Sequence, residues 1–207
     1  MKKLIKIILF SGVIIVVLLL ALVIILPNII GPLNPKYYKV AELTENFNKK
    51  RKEIYEVKRY FKALAPQYKD VDIEFDGNKI ARLEIMPRDT GKGSNLAVEF
   101  LDWNIPVGSK KSDSLMKVLG WNNAKLKALQ DKLDKANCIS ITNTEPAKIG
   151  FKRSGFGMYF FNVFDKPLGD SLRTKYNDSC TYIYVNRNLV LEYGGGAIGP
   201  QCFSEFK

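Results

Sequence analysis

Histidine is missing from all 207 residues of this chain. That closes every Ser-His, Cys-His and His-metal mechanism within it. Cysteine is scarce, with only Cys138, Cys180 and Cys202. Three thiols and no imidazole fall short of the four ligands that a structural zinc site takes. Internal repeats are lacking as well. What chemistry is left rests on carboxylate, lysine, tyrosine or cysteine.

One stretch imitates a cofactor motif. Gly194-Gly195-Gly196-Ala197-Ile198-Gly199 spells G-x-G-x-x-G after a strand-like run, Leu189 to Tyr193. A dinucleotide loop needs a helix behind the glycines and an acidic residue about 20 positions further on. Here Pro200 follows at once, and proline disfavours helix in the residue before it. No Lys-Ser pair follows either, so the nucleotide P-loop fails too. The stretch is expected to be a run of turns that folds the last segment back. No cofactor is expected.

Long apolar sequence is present once. Residues 7–26, "IILFSGVIIVVLLLALVIIL", contain no charge. At 1.5 Å per residue such a run covers the ~30 Å hydrocarbon core of a bilayer. It exceeds the 7–15 apolar residues typical of a signal peptide and ends without a small-x-small cleavage triplet. The reading is an uncleaved single-pass anchor. Lys2, Lys3 and Lys6 crowd the short N-terminal side, which favours keeping that side in the cytoplasm. The remainder then lies outside the cytoplasm, at the periplasmic or outer face of the cell membrane. Residues 1–26 form tail and anchor, 27–35 a Pro/Gly hinge, and 36–207 one extracytoplasmic domain.

The formal net charge is +11, from 32 basic and 21 acidic residues. A positive surface suits nucleic acid, anionic lipid or an acidic protein. No nucleic-acid fold signature occurs, so nucleic acid is not an expected partner. The run Lys49-Lys50-Arg51-Lys52 is the candidate basic docking patch, against a plain solvated face.

Hydrophobic periodicity predicts an α+β fold. In 36–64, Val40, Leu43, Phe47, Ile54, Val57, Phe61 and Leu64 make one apolar stripe, broken only at Lys50. It packs on the domain's own sheet or, as the alternative, mediates self-association as a coiled coil. Val71, Ile73 and Phe75 alternate with Asp72, Glu74 and Asp76, which predicts a hairpin with one buried and one wet face, turning at Gly77-Asn78. A strand is expected at 96–101. Ser112 is expected to cap a short helix that Gly120 stops, and a second helix runs from Asn123 to Ala136. Strands follow at 138–142, 148–152 and 156–164, the last apolar on both faces and so interior to a covered sheet. A final hairpin joins 180–185 to 189–193 through Asn186-Arg187-Asn188. Helices then strands give a mainly antiparallel sheet with packed helices.

This layout resembles a type IV pilin in architecture only. Such a chain carries a glycine-ended basic leader and a glutamate near the start of its apolar helix. Here Lys6 leads directly into Ile7, and no acid precedes Glu42. Pro27, Pro32 and Pro35 also break the continuous helix. The sequence therefore assigns the chain to no family.

An extracytoplasmic domain permits a disulfide. The last hairpin brings Tyr193 back level with Cys180, and the glycines let Cys202 double back. The expected pair is Cys180–Cys202, with Cys138 a buried free thiol. Asp72-x-Glu74-x-Asp76-Gly77 fits half a calcium loop, but its twelfth position is Leu83 where a bidentate Glu is needed, so no metal site is expected. Trp103, Trp121 and the aromatics beside Lys152 and Arg153 are read as core rather than a sugar or peptide platform.

The functional expectation is a membrane-anchored interaction domain without catalytic activity, its ligand a protein. A tethered immunity or inhibitor protein is an alternative of the same kind. The competing class is a carboxylate-dependent cell-wall or glycan hydrolase. For that, two of Glu74, Glu84, Glu99, Asp102 and Glu192 must converge at roughly 5–10 Å.

Overall fold

The computed structural model describes residues 35–88, 98–195 and 198–206, and Val16, which is helical. The rest of the anchor run 7–26, and the hinge up to Pro35, lie outside the described residues. No helix among the described residues is long and apolar enough to cross a membrane.

The fold is α+β. Among residues 35–206 as described, five α-helices accompany an eight-stranded sheet whose neighbouring strands are all antiparallel, as expected. The chain runs α1 (Val40–Lys49), α2 (Arg51–Leu64), β1 (Lys69–Asp76), β2 (Lys79–Pro87) and β3 (Phe100–Pro106). Then come α3 (Lys110–Val118), α4 (Asn123–Lys135), β4 (Ser140–Thr142), β5 (Ala147–Ser154) and β6 (Gly157–Val163). A short α5 (Asp170–Arg173) precedes β7 (Tyr182–Asn186) and β8 (Leu189–Gly194). Strand order is β3-β2-β1-β4-β5-β6-β8-β7.

The apolar stripe of 36–64 lies on the domain's own core. Leu43, Phe47, Ile54, Val57 and Phe61 are all buried there. Two details of the expected single helix are corrected. It begins at Val40, where the Glu42 carboxylate accepts from Lys39 N–H at 2.8 Å. It also bends at Lys50, whose φ of −110° and ψ of 17° are non-helical. The bend falls at the one gap in the stripe, and buried residues from both halves join one core.

The remaining helices close the same core. Ser109, not Ser112, caps α3: its hydroxyl accepts from Ser112 N–H at 3.2 Å, while the Ser112 side chain is buried. Gly120 follows at φ +69°, as a left-handed C-terminal stop requires. In α4, Leu126, Leu129 and Leu133 are buried. Of the strand expected at 96–101, residues 96–97 lie outside the described residues, and residues 100–101 belong to β3, which runs Phe100–Pro106. β6 is buried on both faces. Tyr159, Phe161 and Val163 enter the main core, while Phe164, Leu168 and Val190 form a second cluster packed by Tyr176, Tyr182 and Tyr184. The segment 164–181 thus supplies the second cover that an interior, two-sided apolar strand needs.

The two ends of the sheet differ. One end carries the Gly77-Asn78 turn, the β5–β6 turn at Gly155 and the exit of β8 at Gly194. Pro35 meets this end: a Cβ on Gly155 would lie 3.5 Å from Pro35 Cβ. The other end carries Lys69, Pro87, the β4–β5 connection and Val163. The eight residues of β5 separate the ends by roughly 25 Å.

Candidate functional site

A cleft of about 660 Å³ opens at the end of the sheet away from Pro35. α2 builds one wall. Ile54, Val57, Lys58 and Phe61 occupy i, i+3, i+4 and i+7 and are all buried, so a lysine sits on the core-facing stripe. Lys58 is 5% exposed. Its Nζ donates to Val163 O at 2.6 Å and pairs with Asp165 at 2.8 Å and Glu145 at 3.7 Å. Two acceptors within bonding distance and a second carboxylate nearby answer the buried ammonium.

Asp165 is held from both sides. Its second oxygen accepts from Lys62 Nζ at 2.6 Å, and its backbone N–H donates to Glu145 at 2.8 Å. Hydrogen bonds from Lys58 and then Lys62 draw its pKa down to about 2. An acid whose folded pKa lies below its unfolded value stabilises the fold above the unfolded pKa, near 3.9, and that contribution is lost as pH falls through the folded pKa. Acid titration of the wild-type chain should therefore show stability falling between about pH 4 and pH 2. Asp165→Asn should flatten that part of the pH–stability profile, as followed by tryptophan fluorescence; an unchanged slope would show that Asp165 is not one of the groups responsible.

Arg88 also lines the cleft, and its Nε donates to Asp70 at 2.7 Å. The Lys62 ammonium is held above its ordinary range by its hydrogen bond to Asp165, and the Arg88 charge opposes this. Asn143 fixes the floor, accepting from Val71 N–H at 2.7 Å and donating to Lys69 O at 2.9 Å. Lys166 lines the mouth, exposed and with no partner among the described residues. Four cations and three carboxylates line the space. The arrangement can recognise charge, with one cation left over for an anionic group.

The candidate basic patch lies elsewhere, at the α1–α2 bend. Lys49 pairs with Glu45 at 2.6 Å and Lys50 lies 3.9 Å from Glu53. Arg51 stands over the Tyr55 ring at 6.0 Å, and Lys52 is exposed. Two of the four charges are thus answered by carboxylates of the two adjoining helices.

The five candidate carboxylates line neither this cleft nor a smaller cavity of about 380 Å³ beside Tyr38 and Lys49. Each is paired with a cation. Glu74 receives Arg153 through two bonds of 2.5 Å, Glu84 pairs with Arg82 at 2.8 Å, and Glu99 with Lys69 at 2.7 Å. Asp102 pairs with Lys111, and Glu192 with Lys148 at 2.6 Å. The expected wet face of the first hairpin is corrected at Glu74, which is 2% exposed beneath Arg153. Asp72, bonded to Arg82, has its carboxyl pushed up by loss of water, with Glu84 and Glu74 adding to the shift and Arg82 opposing it.

Of the glycine stretch, residues 196–197 lie outside the described residues, and its described ends fold back on each other. Gly195 N–H donates to Gly199 O at 2.9 Å, and Gly194 bridges Pro200. At Gly194 a Cβ would come within 2.7 Å of Gly199 O, so only glycine fits. Cys202 is bonded to Cys180, with Cα atoms 4.2 Å apart, and Cys138 is free and buried. Burial pushes the Cys138 thiol up to about 12.

Both sheet edges are blunted by side chains. On β3, Asp102 accepts from Trp103 N–H at 2.8 Å. On β7, Asp178 accepts from Tyr182 N–H at 2.8 Å and Asn177 from Tyr184 N–H at 3.1 Å. These are the outward donors that an added strand needs. Trp121 is core, as expected, but Trp103 is 54% exposed on the edge strand.

Sequence reasoning missed the cleft. Lys58 was detectable, because a lysine at i+4 of an apolar stripe is an anomaly. Glu145, Asp165 and Arg88 carry no such signal. No family model matches the chain, and no curated protein or solved structure matches it.

Proposed function

We propose that this chain is a single-pass membrane protein whose domain 36–207 faces away from the cytoplasm and binds a protein partner without catalysis. The observation that carries this is the position of the charged cleft, at the end of the sheet opposite Pro35. A domain tethered through residues 7–26 and 27–35 then presents Lys58, Lys62, Arg88 and Lys166 away from the bilayer, where a partner arrives. The Cys180–Cys202 disulfide supports the compartment, since such bonds persist where the environment oxidises. The partner's contribution is an acidic segment, because four cations line the cleft against three carboxylates and Lys166 has no partner among the described residues.

A photoreactive amino acid at Lys166, in the full chain in its native membrane, tests the reading. A discrete protein adduct is expected at 166. It should weaken at least tenfold when Lys62→Glu and Arg88→Glu are combined, and be absent with the photoreactive group at Lys52. No adduct at 166, or equal adducts at both positions, removes the cleft from the function.

A further inference from the structure

We infer that the Pro35 end of the domain is a bilayer-resting surface, built to lie against the headgroups of the membrane that holds the anchor. The inference rests on the tethered reading above and goes beyond it. A tether alone leaves the domain free to tumble; the surface proposed here fixes which end faces the lipid.

Three separate chain segments bring exposed apolar side chains to this end. The first is the entry segment, with Tyr37 47% exposed. The second is the β5–β6 turn, whose Gly155 packs on Pro35 and whose Phe156 is 49% exposed. The third is the C-terminal fold-back, with Ile198 37% and Phe206 48% exposed. Contacts tie these segments together. A Cβ on Gly157 would come within 2.9 Å of Ile198 Cδ1, and Glu205 accepts from Val40 N–H, the first amide of α1, at 2.7 Å. The Cys180–Cys202 bond and buried Phe203 hold the C-terminal segment in place.

Charge on the entry segment matches, while at this end Glu205 is bonded to Val40 N–H and Asp76 lies 3.7 Å from Lys79. Lys36 and Lys39 are exposed beside Tyr37, and the Lys36 ammonium lies 4.7 Å from the Tyr38 ring centre. Aromatic rings flanked by lysines are the side chains that settle at the membrane–water boundary, the rings among the headgroups and the ammoniums on lipid phosphates. Chain length permits the contact. From Leu26 to Pro35 the backbone spans at most about 30 Å, and any shorter path brings this end closer. Exposed apolar residues elsewhere, such as Trp103 and Val118, lie on other elements and are not joined to Pro35 by these contacts.

The test uses the full chain in lipid nanodiscs containing phosphatidylglycerol. Phe156, Ile198 and Phe206 are each replaced in turn by p-benzoylphenylalanine, with Trp103 and Val118 replaced as controls. After irradiation, lipid adducts are read by intact-protein mass spectrometry. Adducts at 156, 198 and 206 are expected at least fivefold above those at 103 and 118. An anchored chain with no such excess overturns this inference alone. A chain that does not enter the disc overturns the tether and the inference together. Hydroxyl-radical footprinting of the unsubstituted chain gives a second measure. Phe156 and Phe206 should be oxidised several-fold less in the disc than their exposure allows, while Trp103 is oxidised freely; free oxidation of all three also overturns the inference.

Discussion

Arg153→Met lowers the unfolding free energy by about 3 kcal/mol, at the low end of what breaking a buried ion pair costs. Glu74 is 2% exposed, and both its oxygens are taken by the Arg153 guanidinium at 2.5 Å. Removing the guanidinium leaves a carboxylate inside the sheet with neither water nor counter-charge. The low end applies because the Arg153 side chain is itself 42% exposed, so its own desolvation is partial. Arg153→Lys falls between the two, since a single ammonium cannot reproduce two parallel N–H···O bonds. The double variant Glu74→Leu/Arg153→Met recovers most of the loss, because the unpaired charge is gone. Thermal unfolding of the full chain in mild detergent measures this, with a fall of roughly 6–12 °C expected for Arg153→Met. A fall under 2 °C would mean that Glu74 reaches water by another route. A double variant no better than the single would move the cost from charge to packing.

Cys202→Ser costs a similar amount, about 3 kcal/mol by loop-closure entropy for residues 22 apart in sequence. The bond also holds the segment that carries Phe203, which is fully buried and packs against Tyr159 and Tyr193. Tyr159 stacks on Tyr193 at 4.1 Å between centroids, and its hydroxyl accepts from Tyr38 N–H at 3.2 Å. Releasing the C-terminus therefore loosens the join between the entry segment and the sheet. Peptide mapping without reduction should give a linked fragment of Cys180 and Cys202, with Cys138 unalkylated until the chain is unfolded. The Cys202→Ser chain should melt roughly 6–12 °C lower. Equal melting of the two chains would show that core packing alone holds the C-terminal segment.

Much of the fold is determined locally and was legible in the sequence. The stripe of Leu43, Phe47, Ile54, Val57 and Phe61 has the helical period and buries as one face. The alternation of Val71, Ile73 and Phe75 makes β1, Gly77-Asn78 turns it, and the two-sided apolar run 157–163 becomes an interior strand. The pairing of Cys180 with Cys202 followed from hairpin register and glycine turns, both properties of neighbouring residues. The absence of histidine narrows the chemistry by composition alone, since no folding can supply an imidazole that the chain does not carry.

Tertiary structure decided the rest, because it depends on partners far apart in the chain. Glu74 reads as a wet-face residue until Arg153, 79 positions away, covers it. Trp103 reads as core until β3 proves to be an edge strand. The cleft draws Lys58 and Lys62 from α2, Arg88 from the end of β2, Glu145 from the β4–β5 connection and Asp165 from beyond β6. Sequence period reports which face a residue occupies; it carries no signal for which distant charge meets it there. Only the order of the strands brings those charges to one end of the sheet and Pro35 to the other.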